Sequence, residues 1–326
     1  MKLAILVLNY NRHDLLPNCL KAIRGQQHNN FDVWLIENGS SDNSEEIARK
    51  VYPEIKIIRI PKNAGFTGGY NYAFKYLEKR KDKYDYYLVV SNDVICDTNL
   101  TVEFQRILDN FPKISIFGPT IVDGNQIIDI CGGRLSLLTG RCPGNLHGVK
   151  YTKKDFVYKT FWACGAAFFI NTKALKTVNF FDDYFAYFED IDLGWKITNQ
   201  KGLILSGQNC KVLHLGSSTF KSTPSTFYLI EKNRIITYWQ NLSPTTFWIL
   251  IWLVIANRIA CLLGLMILKN FAWKYIKLGL LGIKDGLLIK DNYPRYNNSI
   301  IADLKSIVKA GKVAKYNLQE ARSGKK

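Results

Sequence analysis

Asp93 closes the run Tyr86-Tyr87-Leu88-Val89-Val90-Ser91-Asn92-Asp93, in which strand-forming residues give way abruptly to a polar turn ending in a carboxylate. A carboxylate at the carboxyl end of a strand in an open α/β sheet lies where such sheets bind ligands, and a hard cation bridging diphosphate oxygens needs a ligand of that kind. The same residues would also serve as an ordinary polar turn with helix-capping character. A second cluster, Glu189-Asp190-Ile191-Asp192, opens an expected helix. Acids in a first helical turn suit the macrodipole, but Phe185, Tyr187 and Phe188 crowd these, and desolvation lifts a carboxylate toward the range of a general base. Of the 4 histidines, His13, His28 and His147 have polar, loop-like surroundings, whereas His214 ends the apolar run Val212-Leu213-His214 and is placed like a metal ligand if it meets Asp93.

The elements that would carry these groups alternate in type. Strand-like runs at 3–8, 33–36, 55–60 and 86–90 are interleaved with helical patterns at 15–24, 44–51 and 70–80, the signature of βαβ units and a parallel sheet. Each strand leads to a polar turn: Asn9-Tyr10-Asn11, Glu37-Asn38-Gly39-Ser40-Ser41-Asp42, Asn63-Ala64-Gly65-Phe66 and Ser91-Asn92-Asp93. Parallel strands present their carboxyl ends on one edge, so the topology brings four turns to one rim, a ready-made nucleotide site. Beyond it the pattern predicts a helix at 100–110, a strand at 114–118 and loops to about 158 that carry no catalytic role. A strand over 161–170 broken at Gly165 and a short helix at 174–178 follow.

At 326 residues, 47% hydrophobic and 13% aromatic, the chain can bury a large core, which excludes general disorder. The opening apolar run flows into a polar loop without a small-residue cleavage site and reads as a buried first strand, not a signal peptide. Seven scattered cysteines with no C-x-x-C pair point to reduced thiols in a cytosolic setting. The net charge of +17 calls for an anionic partner.

In order, VLNYNR at 7–12, LIENGSSDNS at 35–44, NAGFTGGYNYAF at 63–74, VVSNDV at 89–94, GAAFFINTKAL at 165–175, FAYFEDIDLGWKI at 185–197 and HLGSST at 214–219 form a series. That series resembles the motifs of family 2 glycosyltransferases, and most of all the rhamnosyltransferase-like members that build bacterial surface polysaccharides. The resemblance spans about 3–240 and implies an α/β, Rossmann-like GT-A sheet over residues 1–240. It implies that Asn9, Tyr10, Asn11, Glu37, Asn38, Asn63, Gly65, Phe66, Asn71 and Asn92 surround the nucleotide, and that Asp93 and His214 hold Mg2+ or Mn2+ on its diphosphate. It makes Asp190 the base that deprotonates the acceptor hydroxyl, with Glu189 its acidic neighbour. The expected donor is a nucleotide sugar, dTDP-rhamnose first and UDP-sugars next; the expected acceptor is a saccharide or a lipid-pyrophosphate-linked saccharide.

Chemistry makes matching demands. Breaking an anomeric carbon to phosphate bond builds charge on the departing diphosphate, a bound divalent ion can stabilise it, and an acceptor hydroxyl must lose a proton as it attacks. With no second nucleophile in the motifs, a single displacement inverts the anomeric centre. Two rival readings are a nucleotidyltransferase that makes nucleotide sugars, which would be expected to carry a Gly-rich phosphate loop after the first strand, and a non-catalytic sugar- or lipid-binding relative. Asn9-Tyr10-Asn11-Arg12-His13 has no glycine.

Residues 241–326 form a helical, basic, membrane-associated extension in this reading. Ser243-Pro244 is a good helix start, and 247–268 approaches the length of a bilayer span, yet Asn257 and Arg258 sit in its middle, where ionised groups are costly. A helix lying on or dipping into the membrane fits better than a true span or an intramolecular core helix, with Trp248, Trp252 and Trp273 at the interface and Lys274, Lys277 and Lys284 following at helical spacing. Lysine and arginine outnumber acids by 13 to 4 after position 268, so more than half of the +17 sits there. The expected partner is an anionic membrane surface and not nucleic acid, since no aromatic stacking platform accompanies the charge. The expected location is cytoplasmic, at the inner face of the cell membrane.

Overall fold

The computed structural model describes residues 1–27, 30–80, 83–216, 223–269, 272–296, 299, 303 and 314–318. His28, Asn29, Ser217 to Thr219 of the HLGSST stretch, and most of the basic tail lie outside these. The first half alternates as the polar turns require: β1 (Leu3–Asn9), α1 (Leu16–Arg24), β2 (Phe31–Asn38), α2 (Ser44–Val51), β3 (Lys56–Ile60), α3 (Gly65–Glu78) and β4 (Tyr86–Ser91). Strands β3, β2, β1 and β4 lie side by side and all parallel, so their carboxyl ends share one rim. Then come β5 (Val94–Cys96), α4 (Leu100–Asn110), β6 (Ile114–Val122), β7 (Ile128–Ile130), β8 (Phe156–Lys159), β9 (Ala167–Asn171), α5 (Thr172–Thr177), α6 (Glu189–Asn199) and β10 (Leu203–His214). Helices α7 (Pro224–Asn241), α8 (Pro244–Lys269) and α9 (Trp273–Ile289) and a strand β11 (Ala314–Asn317) complete the described chain.

Burial follows the two-residue period of a strand. Leu3, Ile5 and Val7 of β1 join one core with Leu16, Leu20 and Ile23 of α1, while Ala4 and Leu6 join another with Tyr70, Ala73 and Phe74 of α3. A sheet covered on both faces explains why β1 and β4 read as nearly continuous apolar runs. A third core joins Tyr238 of α7, Phe247, Ile251 and Val254 of α8 and Ile276 of α9 to Trp162 and Trp195.

Four expectations need correction. Helix α3 starts at Gly65, not near Tyr70, because its first amides find partners outside the helix: Asn63 Oδ1 accepts from Gly65 N at 2.8 Å, and the Phe185 carbonyl accepts from Phe66 N at 2.6 Å. The strand expected over 161–170 begins only at Ala167, since the Gly165 amide turns away to donate to Asp190 at 3.0 Å. The strand expected to stop at Gly118 runs on to Val122, pairing with β7 inside the segment expected to be loop. Finally, the helical C-terminal region contains a strand, for β11 pairs antiparallel with β8.

The charge in the middle of the long apolar helix is also resolved. Arg258 turns inward to Glu231 of α7 at 2.9 Å, and Glu231 pairs with Arg234 at 3.1 Å. Paired and turned inward in this way, Arg258 does not interrupt the outer face of α8, where Trp248, Ile249, Trp252 and Leu253 are exposed.

Candidate active site

Asp93 and His214 come together through a three-residue strand. β5 follows Asp93 directly and pairs antiparallel with the end of β10, setting His214 opposite Val94. The Leu215 amide then donates to the Asp93 carbonyl at 2.9 Å, and His214 Nε2 lies 3.3 Å from Asp93 Oδ2. Burial opposes ionisation of Asp93, yet the imidazole of His214 and the more distant guanidinium of Arg12 hold the carboxyl below its ordinary value.

A carboxylate oxygen is a ligand that both Mg2+ and Mn2+ take, and an imidazole nitrogen beside it could supply a second position. Asp93 Oδ1 is buried with no hydrogen-bond partner among the described residues, an acceptor left to be satisfied. Position 216 must stay small beside it, since a Cβ there would lie 2.7 Å from Asp93 Oδ2 and 3.3 Å from His214 Nε2. The pair therefore fits a divalent ion whose remaining positions are filled by other oxygens. No third carboxylate, thiol or histidine joins them among the described residues.

Asp93 stands where two cavities meet. On one side, a cavity of about 280 Å³ is lined by Tyr10, Arg12, Asn38, Asn63, Gly65, Phe66, Asn92 and Phe185, along with Ser91 and Asp93. A cavity of about 340 Å³ next along the rim is lined by Glu37, Ser40, Asp42 and Arg59. On the other side, a cavity of about 530 Å³ shares Phe66, Ser91 and Asp93 and adds His214, Glu189, Asp190, Asp129, Thr226 and Ile230.

Several of the residues expected around a nucleotide hold the rim together: Asn9 and Asn11 do so without lining a cavity, whereas Glu37 and Asn38 do both. Asn9 is fully buried: its amide donates to Glu37 at 3.2 Å and its Oδ1 accepts from Asn92 at 2.7 Å. Asn11 Oδ1 receives the Ser41 amide at 2.8 Å, locking the first turn to the second. Asn38 donates to the Gly65 carbonyl at 3.0 Å and receives the Ala64 amide at 3.1 Å, joining the second turn to the third. Glu37 is pushed upward by burial, partly offset by hydrogen bonds from Ser40 and Asn9. Asn71 lines none of these cavities; its side chain brackets the Phe181 backbone, donating at 2.9 Å and accepting at 3.1 Å.

The three acids of α6 divide their work. Asp190 accepts from the Gly165 and Ile191 amides at 3.0 and 2.8 Å, while Glu189 Oε2 is buried without a partner among the described residues. Burial raises both carboxyls, and for Glu189 the neighbouring Asp190 charge adds to it. Asp192 points away from the cavity, pairing with Lys196 at 2.7 Å and accepting from Asn241 at 2.7 Å. The aromatic crowding expected from the sequence is partial: Phe188 is buried, but Phe185 and Tyr187 are exposed.

The loop before α6 is strained. Phe185, Tyr187 and Phe188 have φ of 65°, 68° and 74°, a left-handed backbone that costs non-glycine residues on the order of 1–3 kcal/mol each. Sequence reasoning missed Arg12, Asp129, Thr226 and Ile230 as cavity residues. Arg12 was visible at the end of VLNYNR; the others lie in a weakly patterned segment and on a helix with no motif.

Residues 4–127 match the family model described as Glycosyl transferase family 2. The chain is 22% identical over 231 residues to the N-acetylglucosaminyl-diphospho-decaprenol L-rhamnosyltransferase of Mycobacterium tuberculosis, covering 65% of this chain and 75% of that protein. Among solved structures, S. aureus TarS 1-349 in complex with UDP-GlcNAc has a similar fold, with TM-score 0.58 and 15% identity over 99% of this chain and 92% of that one. Mannosyltransferase PcManGT from Pyrobaculum calidifontis, in complex with GDP-Man and Mn2+, gives TM-score 0.53 and 11% identity over 99% and 86%. Residues 4–127 thus carry a family 2 glycosyltransferase match, and the chain as a whole has the GT-A fold.

Proposed function

We propose that the whole chain acts as a family 2 glycosyltransferase and moves a sugar, with inversion, from a nucleoside diphosphate donor to a hydroxyl of a lipid-linked saccharide during cell-surface polysaccharide synthesis. The observation that carries the reading is the placing of Asp93 on the wall shared by two cavities, with the Glu189 and Asp190 carboxylates opening on the larger. The nucleotide occupies the rim cavities, where Asn38, Asn63 and Phe66 hold it against the turns and Glu37 faces the base and ribose. Asp93 and His214 would hold a divalent ion. When bound, that ion supplies positive charge to the departing diphosphate. Asp190 is held in place by two backbone amides and takes the proton of the attacking hydroxyl, while Glu189 borders the acceptor beside it. The M. tuberculosis relative, an L-rhamnosyltransferase acting on N-acetylglucosaminyl-diphospho-decaprenol, supports an acceptor carried on a polyprenyl diphosphate and rhamnose as the sugar, so that dTDP-rhamnose is the first donor to test; TarS, bound to UDP-GlcNAc, makes a UDP-sugar the next.

Screening nucleotide sugars by thermal shift, with Mn2+ and then with chelator, tests this. A donor at 100 times its Kd stabilises the native state by about 2.7 kcal/mol, so a rise of several degrees that chelator reverses is expected. Transfer to a lipid-linked saccharide should follow with the same donor; no shift and no transfer with any donor would overturn the reading.

Attachment to an anionic membrane surface belongs to the proposal. Helix α8 is long and apolar enough to cross a membrane by length and composition, but one side is packed in the third core while Trp248, Ile249, Trp252 and Leu253 face outward. On α9, Trp273 and Leu288 are exposed alongside Lys274, Lys277 and Lys284, the mixture an interfacial surface needs. Ile249→Glu combined with Trp252→Glu is expected to move the protein from the membrane pellet to the supernatant, with its melting temperature kept within a few degrees. A variant that stays with the membrane would remove this face from the reading.

A further inference from the structure

The segment from Phe185 to Phe188 contains no glycine, yet three of its four residues are left-handed, with φ of 65°, 68° and 74°. L residues do not hold such a backbone unaided, so it must be imposed from outside the loop. One buried side chain on α7 supplies the constraint. Asn233 is fully buried, and its Nδ2 donates to the carbonyls of Tyr184, Ala186 and Tyr187 at 3.2, 2.9 and 2.8 Å. An amide nitrogen carries two hydrogens, so one of them is shared between two carbonyls.

The remaining carbonyl points the opposite way. Phe185 O accepts from the Phe66 and Thr67 amides at 2.6 and 3.3 Å, satisfying the first turn of α3 beside the donor cavity. The loop is thus stapled between α7 on one side and α3 on the other, and the alternation of its carbonyls is what the left-handed residues achieve. A Cβ at position 65 would sit 2.4 Å from Phe185 O, so glycine is needed there for the two segments to approach.

What the loop delivers lies at its two ends. Phe185 lines the donor cavity, whereas Tyr187, Phe188, Glu189 and Asp190 line the larger one. Phe188 is the left-handed residue from which α6 departs, and its carbonyl accepts from Asp192 N at 3.0 Å in the first turn. The direction in which Asp190 enters the cavity is therefore fixed by the loop. Arg234, next to Asn233, lies 4.7 Å above the Phe188 ring, and Thr226 Oγ1 donates to the Tyr187 hydroxyl at 3.2 Å.

We infer that Asn233 is a positioning residue: its amide clamps the left-handed loop and thereby aims the Glu189–Asp190 edge of α6 at an acceptor bound next to the donor. The inference rests on the proposed glycosyl transfer for its consequence, but the clamp itself can be read without catalysis. Asn233→Asp keeps the size and removes the donor; Asn233→Ser is the milder variant should the first fail to fold.

In hydrogen exchange followed by mass spectrometry, Asn233→Asp should speed exchange at the amides of 66–67 and 189–192 at least 10-fold while the rest of α7 keeps its protection. In turnover, the acceptor KM and the ratio of donor hydrolysis to transfer should each rise several-fold, and the donor-induced thermal shift should hold. Asn233→Ser should move the same readouts in the same direction. Unchanged exchange at 66–67 and 189–192 would overturn the clamp whether or not the wild type transfers sugar. Faster exchange with KM and the hydrolysis ratio at wild-type values would confine Asn233 to a structural role and overturn the aiming. A wild type that transfers no sugar removes the glycosyl-transfer reading and with it the aiming, and leaves the clamp to the exchange result alone.

Discussion

Asp190→Asn is expected to slow transfer by about 10²- to 10⁴-fold, the usual worth of a positioned general base, while the donor still binds and still raises the melting temperature. The substitution keeps the size of the side chain and an oxygen for the Gly165 amide, but cannot take a proton. Burial raises the Asp190 carboxyl, so the base is lost by protonation at a higher pH than an exposed aspartate would show. Wild-type kcat/KM should accordingly fall on the acid side above the ordinary carboxylate range, and this limb should vanish in the variant. Stability runs the other way. A carboxyl whose folded value is raised favours the native state below its unfolded value and loses that favour as pH climbs through the folded value. Asp190→Asn should therefore melt no lower than wild type at neutral pH, which separates lost chemistry from lost folding. Full transfer activity in the variant would remove Asp190 as the base.

Asp93→Ala should be as damaging by a different route. It removes one of two side chains proposed to hold the divalent ion and a wall shared by both cavities. A loss of about 10²- to 10³-fold is expected, comparable to deleting one group that stabilises developing charge. The diagnostic result is in binding: the part of the donor-induced thermal shift that depends on Mn2+ should disappear, leaving only what the nucleotide gains from the rim turns. An Mn2+-dependent shift equal to that of the wild type would move the ion elsewhere.

Much of this architecture was legible in advance, for physical reasons that differ by element. Strands β1, β2 and β4 announce themselves because burial on both faces makes them continuous apolar runs, and polar turns end them where the chain reaches the rim. Helix α2 was readable to the residue, with Glu45 and Glu46 in its first turn and Arg49 and Lys50 in its last. Asp93 and His214 could be named, but their meeting depends on β5, a strand too short to carry a pattern of its own. Asn233 could not be found, because an asparagine inside a helix gives no sign of which carbonyls it will meet, and Phe185, Tyr187 and Phe188 carry none of the usual marks of a left-handed turn. In sequence Arg258 is a cost against membrane insertion; its partner Glu231 lies 27 residues earlier on another helix, a distance over which sequence spacing says nothing.

The pairing of β11 with β8 bears on how this protein is handled. Without residues 314–317, β8 would be the outermost strand on that side of the sheet, with the amides and carbonyls of Phe156–Lys159 open along one edge. An unpaired edge is a template for strands of other molecules, and native proteins cover or charge such edges to stay apart. Proteolytic clipping or shortening of the chain before Ala314 is thus a route to aggregation even where every residue of the active site survives.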